Sequence, residues 1–592
     1  MGYFLPLRER AECFVQDMIV CGAILFFLAP RARRRPVRPA WIVFVCNTAA
    51  VVDLLDIQSR ASLLEPLTWG VAFGALREFD RLVGSADVFF TTDFLRHAAM
   101  CFLVLNGAPL VAPVWGWWSG HIPALARRAA SRFVSAARRL GPRVGLGASV
   151  LLACLAPFLT AVAQQLDGNV FTSKLVSLAR KSPKRDLARA SQCDEPARVL
   201  DASELASGGD PAHALARRRN IVVFVVETFS YAESSLGGGG DTTPFLGSFA
   251  ERAFLSTSAR VGSAYSTKSI YAILTGRYPS PSLEIYESEA PRLDSIARTL
   301  RGAGYFTGFF TTQFLSYNRI RHQFEAMGFE QVAGAEELVE RGKTRGLDIV
   351  PGTWGVRDQE FLRSGLLESL PSDRPFFAVI YNADSHYPYG PPDPARGRTD
   401  RDRYRTSLRE VDAFVSDVLA RLGDLGHADD TVVAILGDHG EEFVGGKLRV
   451  RGCSFGERAL VVPLVVAVPG AAPIAPPPGA RAIDLAPTLL DIVAVRPDSA
   501  LQGRSLLVPA PRAPPAYVSS YGSCEDAAII EGDLKVVYDG YANHSEAFAV
   551  TADGDTQTAR ALESAARDAY VARVQACAAY DESALKALVP AR

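Results

Sequence analysis

The sequence predicts an α-helical transmembrane N-terminal region followed by an α/β domain with a mainly parallel central sheet and a small C-terminal subdomain. Three observations carry that prediction. Apolar stretches near bilayer-spanning length crowd residues 1–166. From Asn220 onward, short β-branched runs alternate with helical patterns, as in an α/β fold. One of those runs, Val432 to Leu436, leads into Gly437-Asp438-His439-Gly440. A carboxylate beside an imidazole at a strand end suits a metal corner at the carboxyl edge of a parallel sheet.

The chain has 592 residues, 48% of them hydrophobic, and a mean hydropathy of +0.09. It is too long for one core and too apolar for a purely soluble protein. A net charge of −1 argues against nucleic acid as a partner. The apolar stretches run Cys13 to Pro30, Ala40 to Leu55, Phe94 to Trp118 and Val144 to Ala163, with Leu67 to Leu76 as a fifth, shorter piece. That gives four or five helices, with Trp115, Trp117 and Trp118 as interfacial anchors. Arginines cluster at Arg31 to Arg38 and at Arg127 to Arg143. The positive-inside bias puts both loops in the cytoplasm, so the span from Val144 exits and everything after about Gln164 lies outside. The expected location is the cell membrane, multi-pass, with the catalytic half periplasmic or extracellular.

Residues 167–219 read as a polar extracytoplasmic linker and 220–513 as the catalytic domain. Its expected strands are Ile221 to Val226, Tyr305 to Thr311, Phe376 to Tyr381, Thr431 to Leu436 and Leu460 to Val468. Helices are expected at Leu293 to Arg301, Gln359 to Leu370, Arg403 to Leu422 and Leu485 to Val493. Residues 514–592 read as the C-terminal subdomain, with short strands at Ala527 to Ile530 and Leu534 to Tyr538 and an alanine-rich helix from Thr558 to Ala579. Gly237 to Gly240 lacks the Gly-Lys-Ser/Thr of a phosphate-binding loop and reads as a loop near the site entrance. Outside the membrane half, Cys193, Cys453, Cys524 and Cys577 permit two disulfides in three pairings.

The first strand ends at Glu227, as the later one ends at Asp438-His439. Two strand ends delivering oxygen and nitrogen ligands to one sheet edge can meet on one divalent ion. Between them, Ala264 to Pro279 opens with hydroxyls and continues as an apolar helix closed by Gly276. Ser266 and Thr267 thus sit at a helix N-terminus, where backbone amides favour an anion. Either hydroxyl could instead cap the helix. Lys268 either neutralises a phosphoryl oxygen or solvates the helix end.

Through Asn220 to Glu227, Thr243-Pro244-Phe245-Leu246, Ser266 to Pro279, Gly304-Tyr305, Asp438 to Glu441, Val462-Pro463-Leu464 and Asp484 to Leu490, the chain resembles the alkaline phosphatase and sulfatase superfamily. The membrane half is similar to the anchor of its lipoteichoic acid synthase and phosphoethanolamine transferase branch. That resemblance implies a sulfatase-like, alkaline-phosphatase-like fold. The family nucleophile precedes the glycine of Leu-Thr-Gly by ten residues, which is Ser266 here, with Thr267 the alternate. Sulfatases put a cysteine there, followed by Pro-Ser-Arg, and open with paired aspartates. This chain has Ser266-Thr267-Lys268-Ser269 and the single Glu227, which points to a one-metal phosphotransferase-like site.

The resemblance also assigns Arg319 and Tyr317, in Ser316-Tyr317-Asn318-Arg319, and His386 to substrate binding. The metal set is Glu227, Ser266, Asp438 and His439, for zinc or manganese, with magnesium or calcium as further options. It implies transfer of a phospholipid-derived phospho-headgroup, phosphoglycerol or phosphoethanolamine, through a phosphoserine or phosphothreonine. The acceptor would be a glycan, lipid or polymer hydroxyl. The rivals are a sulfuric or phosphoric ester hydrolase and an inactive membrane receptor or scaffold.

Overall fold

The computed structural model describes residues 219–279, 293–316, 320–352, 354–390, 394–444, 447–449, 455–497, 501–510, 512–520, 527–539, 544–550 and 558–588. The expected spans and all of the linker but its last residue, Arg219, lie outside them, as do Tyr317, Arg319, Cys193, Cys453 and Cys524. Among the described residues no helix is long and apolar enough to cross a membrane.

The main sheet is formed by β1 (Asn220–Val226), β2 (Leu255–Arg260), β3 (Phe306–Thr311), β4 (Gln331–Ala333), β5 (Phe376–Tyr381), β6 (Thr431–Gly437) and, after the hairpin β7 (Glu442–Val444) and β8 (Lys447–Arg449), β9 (Val461–Ala467). Its order is β2-β9-β6-β1-β5-β3-β4. The run from β6 through β1, β5 and β3 to β4 is parallel, whereas β9 pairs antiparallel with both β6 and β2. The sheet is therefore mixed but mostly parallel.

β1 reads Asn-Ile-Val-Val-Phe-Val-Val and is buried throughout, as a central strand covered on both faces must be. Ile221, Val223 and Val225 enter one apolar cluster, and Val222, Phe224 and Val226 the other. On the first face lie α1 (Ser266–Thr275), through Ile270, Ile273 and Leu274. The second is covered by α2 (Asp400–Asp424), through Leu408, Val411, Phe414, Val415 and Val418. α3 (Leu485–Ile492) adds Leu485 and Leu489 to the first face.

Some elements differ from expectation for local reasons. The helix expected over Gln359 to Leu370 stops at Arg363, because Gly365 takes a left-handed φ of +69° and a 3-10 turn, Leu367–Ser369, follows. α2 starts three residues before the expected Arg403, where Thr399 caps it by accepting from the Asp402 N–H. β2 escapes sequence detection because Leu-Ser-Thr-Ser-Ala-Arg carries no apolar run; it is an edge strand and only half-buried.

The C-terminal part is a five-stranded antiparallel sheet of β10 (Ala516–Ser519), β11 (Ala527–Glu531), β12 (Leu534–Asp539), β13 (His544–Ala549) and β14 (Thr558–Ala559), followed by α4 (Ser564–Leu588). Thr558, expected to open the helix, instead pairs with Ala549. Cys577 of α4 is disulfide-bonded. Two buried lysines stitch this sheet to the main one. Lys268 of α1 donates to the Ser520 carbonyl at 2.9 Å. Lys535 of β12 lies 2.9 Å from Glu457 and also donates to the Phe455 carbonyl.

Candidate metal and nucleophile site

Val226 pairs with Gly437, so Glu227 and Asp438 leave adjacent parallel strands side by side, and the Asp438 N–H donates to the Val226 carbonyl at 3.1 Å. Side chains alternate faces along a strand. Counting on by two from Val225, Leu436 and Val379 puts Glu227, Asp438 and Tyr381 on the face that α1 covers. The N-terminus of α1 then brings Ser266 over the same edge. α1 ends cleanly because Gly276 adopts a φ of +64° and its N–H caps the Ala272 carbonyl at 2.9 Å.

Glu227, Asp438 and His439 are fully buried, each offering a ligand atom within 4.8 Å of the others. His439 Nε2 lies 3.5 Å from Asp438 Oδ2 and 3.9 Å from Glu227 Oε1. The other ring nitrogen, Nδ1, donates to the Gly440 carbonyl at 2.9 Å, which turns Nε2 toward the carboxylates. Asp438 is oriented in the same manner. Its Oδ1 accepts from the backbone N–H groups of Thr228 at 2.8 Å and His439 at 2.7 Å, so Oδ2 turns to the site. Two carboxylates and one imidazole, each fixed by an outer partner, fit a divalent cation.

Ser266 Oγ stands 3.1 Å from His439 Nε2 and 3.3 and 3.4 Å from the two oxygens of Glu227. Thr267 Oγ1 is buried and makes no hydrogen bond. Lys268 is fully buried, with its ammonium on Ser520, so it does not solvate the helix end. His386 is half-buried in the loop after β5; its Nδ1 bonds the Tyr387 carbonyl at 2.7 Å and its ring centroid lies 4.4 Å from that of Trp354. The structure thus brings together Glu227, Ser266, Asp438 and His439.

Sequence reading missed the residues that hold this group. Asn382 accepts the Glu227 N–H at 2.8 Å and donates to Ser385 Oγ at 2.9 Å and Asp358 Oδ2 at 3.2 Å. Ser385 Oγ in turn donates to the Glu227 carbonyl at 2.6 Å, and Thr228 Oγ1 donates to the Ser385 carbonyl at 2.6 Å. Glu227 is therefore clamped to the loop that carries His386. Gln313 Nε2 reaches Glu227 Oε2 at 3.3 Å. The Tyr381 hydroxyl donates to Glu227 Oε2 and lies 3.2 Å from Asp438 Oδ2. Burial, then the charges of Asp438 and Glu227, raise its pKa well above the usual tyrosine value, so it stays a donor. Strand parity was the available signal for Tyr381; nothing local marked Asn382 or Gln313. Behind the clamp, burial raises the pKa values of Asp358 and Asp384, and Arg357, 3.3 Å from Asp384, opposes the shift there.

Residues 219–495 match the sulfatase family model. Among curated proteins, the chain is similar to the lipoteichoic acid synthase-like YvgJ of Bacillus subtilis (strain 168), 21% identical over 323 residues that cover 50% of each chain. It is also similar to human (Homo sapiens) arylsulfatase A, 26% identical over 282 residues, 41% of this chain and 55% of that one. The alignments thus span about half the length of these relatives. Two solved structures share the fold. A protein of the alkaline phosphatase superfamily from Vibrio parahaemolyticus superposes with a TM-score of 0.53 at 20% identity, covering 68% of this chain and 95% of that one. The lipoteichoic acid synthase LtaP of Listeria monocytogenes gives 0.51 at 17% identity, covering 63% and 93%.

Proposed function

We propose that this chain, whose residues 219–495 form a sulfatase-family domain of the alkaline phosphatase superfamily, is a membrane-anchored phosphotransferase acting outside the cytoplasm. It moves a phospho-headgroup, phosphoglycerol or phosphoethanolamine, from a phospholipid to a hydroxyl of a glycan, lipid or polymer. The carrying observation is the Ser266 hydroxyl held at 3.1 Å from His439 Nε2 and 3.3 Å from Glu227. Similarity to the lipoteichoic acid synthase-like YvgJ supports the branch, and the disulfide at Cys577 suits an oxidising compartment.

In this reading Glu227, Asp438, His439 and Ser266 hold one divalent cation, zinc or manganese by donor type. When bound, that ion supplies a lowered pKa for the serine hydroxyl and positive charge opposite the phosphoryl oxygens. Ser266 Oγ attacks phosphorus, the bond to the lipid alcohol oxygen breaks, and that alcohol leaves protonated. The acceptor hydroxyl then attacks the phosphoserine, releasing Ser266. His386 and Arg319 neutralise the equatorial oxygens, where charge accumulates. Lys268 keeps α1 seated, since its ammonium is committed to Ser520.

Replacing Ser266 by alanine and supplying labelled phospholipid tests the reading: headgroup transfer should fall by about a million-fold, the order of loss for a deleted nucleophile. Undiminished transfer overturns it, and loss only in Thr267→Ala moves the nucleophile by one residue. Mass spectrometry of the wild-type chain after exposure to lipid identifies the group added to Ser266. The second reading, an ester hydrolase, is favoured by the similarity to arylsulfatase A. It predicts turnover of aryl sulfates or phosphates with water as the acceptor.

A further inference from the structure

Tyr381 closes β5, the parallel neighbour of β1, and is only 5% exposed. Its hydroxyl donates to Glu227 Oε2 and lies 3.2 Å from Asp438 Oδ2. Asp438 Oδ2 is the oxygen its backbone partners leave facing the site, because Oδ1 already accepts two N–H groups. The phenol therefore stands between the facing oxygens of two fully buried carboxylates. Carboxylates that close repel, and in a buried setting the repulsion is large unless a donor lies between them. A tyrosine suits this place because its hydroxyl sits at the end of a rigid ring fixed by the strand beneath it.

We propose that Tyr381 is a positioning residue that holds Glu227 and Asp438 at one spacing, ready to receive the divalent cation. The inference rests on the metal part of the reading above. Removing the hydroxyl leaves the ring packed but lets the two carboxylates move apart. The cation must then draw them together, which weakens its binding. Outer partners of metal ligands typically change affinity by about 10- to 100-fold.

The test compares the wild-type full chain in detergent with Tyr381→Phe, titrating manganese and zinc separately against a competing chelator. The expected result is about 10- to 100-fold weaker binding in a variant that still folds. Equal or tighter binding by a folded Tyr381→Phe chain overturns the proposal. If that variant does not fold, fluorotyrosine placed at position 381 and followed by fluorine NMR gives a second readout. Its resonance should shift on adding zinc, and an unmoved resonance overturns the proposal. A wild-type chain that binds neither metal removes the metal reading itself and Tyr381's role with it; that failure is separate from the variant matching wild type.

Discussion

Asn382→Ala tests whether the clamp behind Glu227 holds the site in place. The Asn382 side chain is buried, 3% exposed, and makes three hydrogen bonds, to the Glu227 N–H at 2.8 Å, Ser385 Oγ at 2.9 Å and Asp358 Oδ2 at 3.2 Å. Truncation strips the buried Glu227 N–H of this acceptor, which costs about 2 kcal/mol, and forfeits two further bonds at about 1 kcal/mol each. The expected loss is about 4 kcal/mol, a large part of a typical domain's stability. Ser385→Ala, which removes the donor to the Glu227 carbonyl, should cost about half as much. The double variant should lose less than the sum, because the two side chains share a bond. Urea unfolding of the whole chain in detergent, followed by tryptophan fluorescence, measures each loss from the midpoint at constant slope. A loss below about 1 kcal/mol for Asn382→Ala would refute the clamp.

Gly440→Ala should disable the corner: a Cβ there would meet the Arg458 carbonyl oxygen at 1.9 Å, a backbone atom that cannot swing aside. The expected outcome is loss of transfer with the chain destabilised, read by activity and melting together, and a fully active, unshifted variant would contradict it. Asp491 gives a pH dependence. Burial pushes its carboxyl from 3.8 up to about 6, with Ser505 opposing. Because the folded value is the higher one, the native state binds the extra proton between about pH 4 and 6, and stability falls as pH rises through that window. The shift corresponds to at most about 3 kcal/mol. Asp491→Asn should flatten that part of a plot of Tm against pH, and an unchanged slope would sink the assignment.

The sequence was readable where one rule dominates. Val432 to Leu436 is β-branched and apolar with Asp438-His439 beyond it, so strand, sheet edge and the clustered carboxylate and imidazole followed from a single stretch. Glu227 was readable for the same reason. Asn382, Ser385 and Gln313 were not, because their importance arises from bonds across 155, 158 and 86 residues of chain. Periodicity shows no such pairing. The bond that seats Lys268 was not legible either, because its acceptor, Ser520, follows β10, 252 residues along the chain. β2 failed as a sequence element because an edge strand can carry Ser-Thr-Ser where a central strand cannot.

The Lys268 to Ser520 bond also has a consequence in time. The two residues are 252 positions apart, roughly 13–50 s of synthesis at ordinary translation rates. Throughout that interval the helix bearing Ser266 lacks the carbonyl that receives its buried ammonium, and its final seat must wait for β10. The serine is made early and its support late, so the corner that would meet lipid is among the last parts of the domain to be completed.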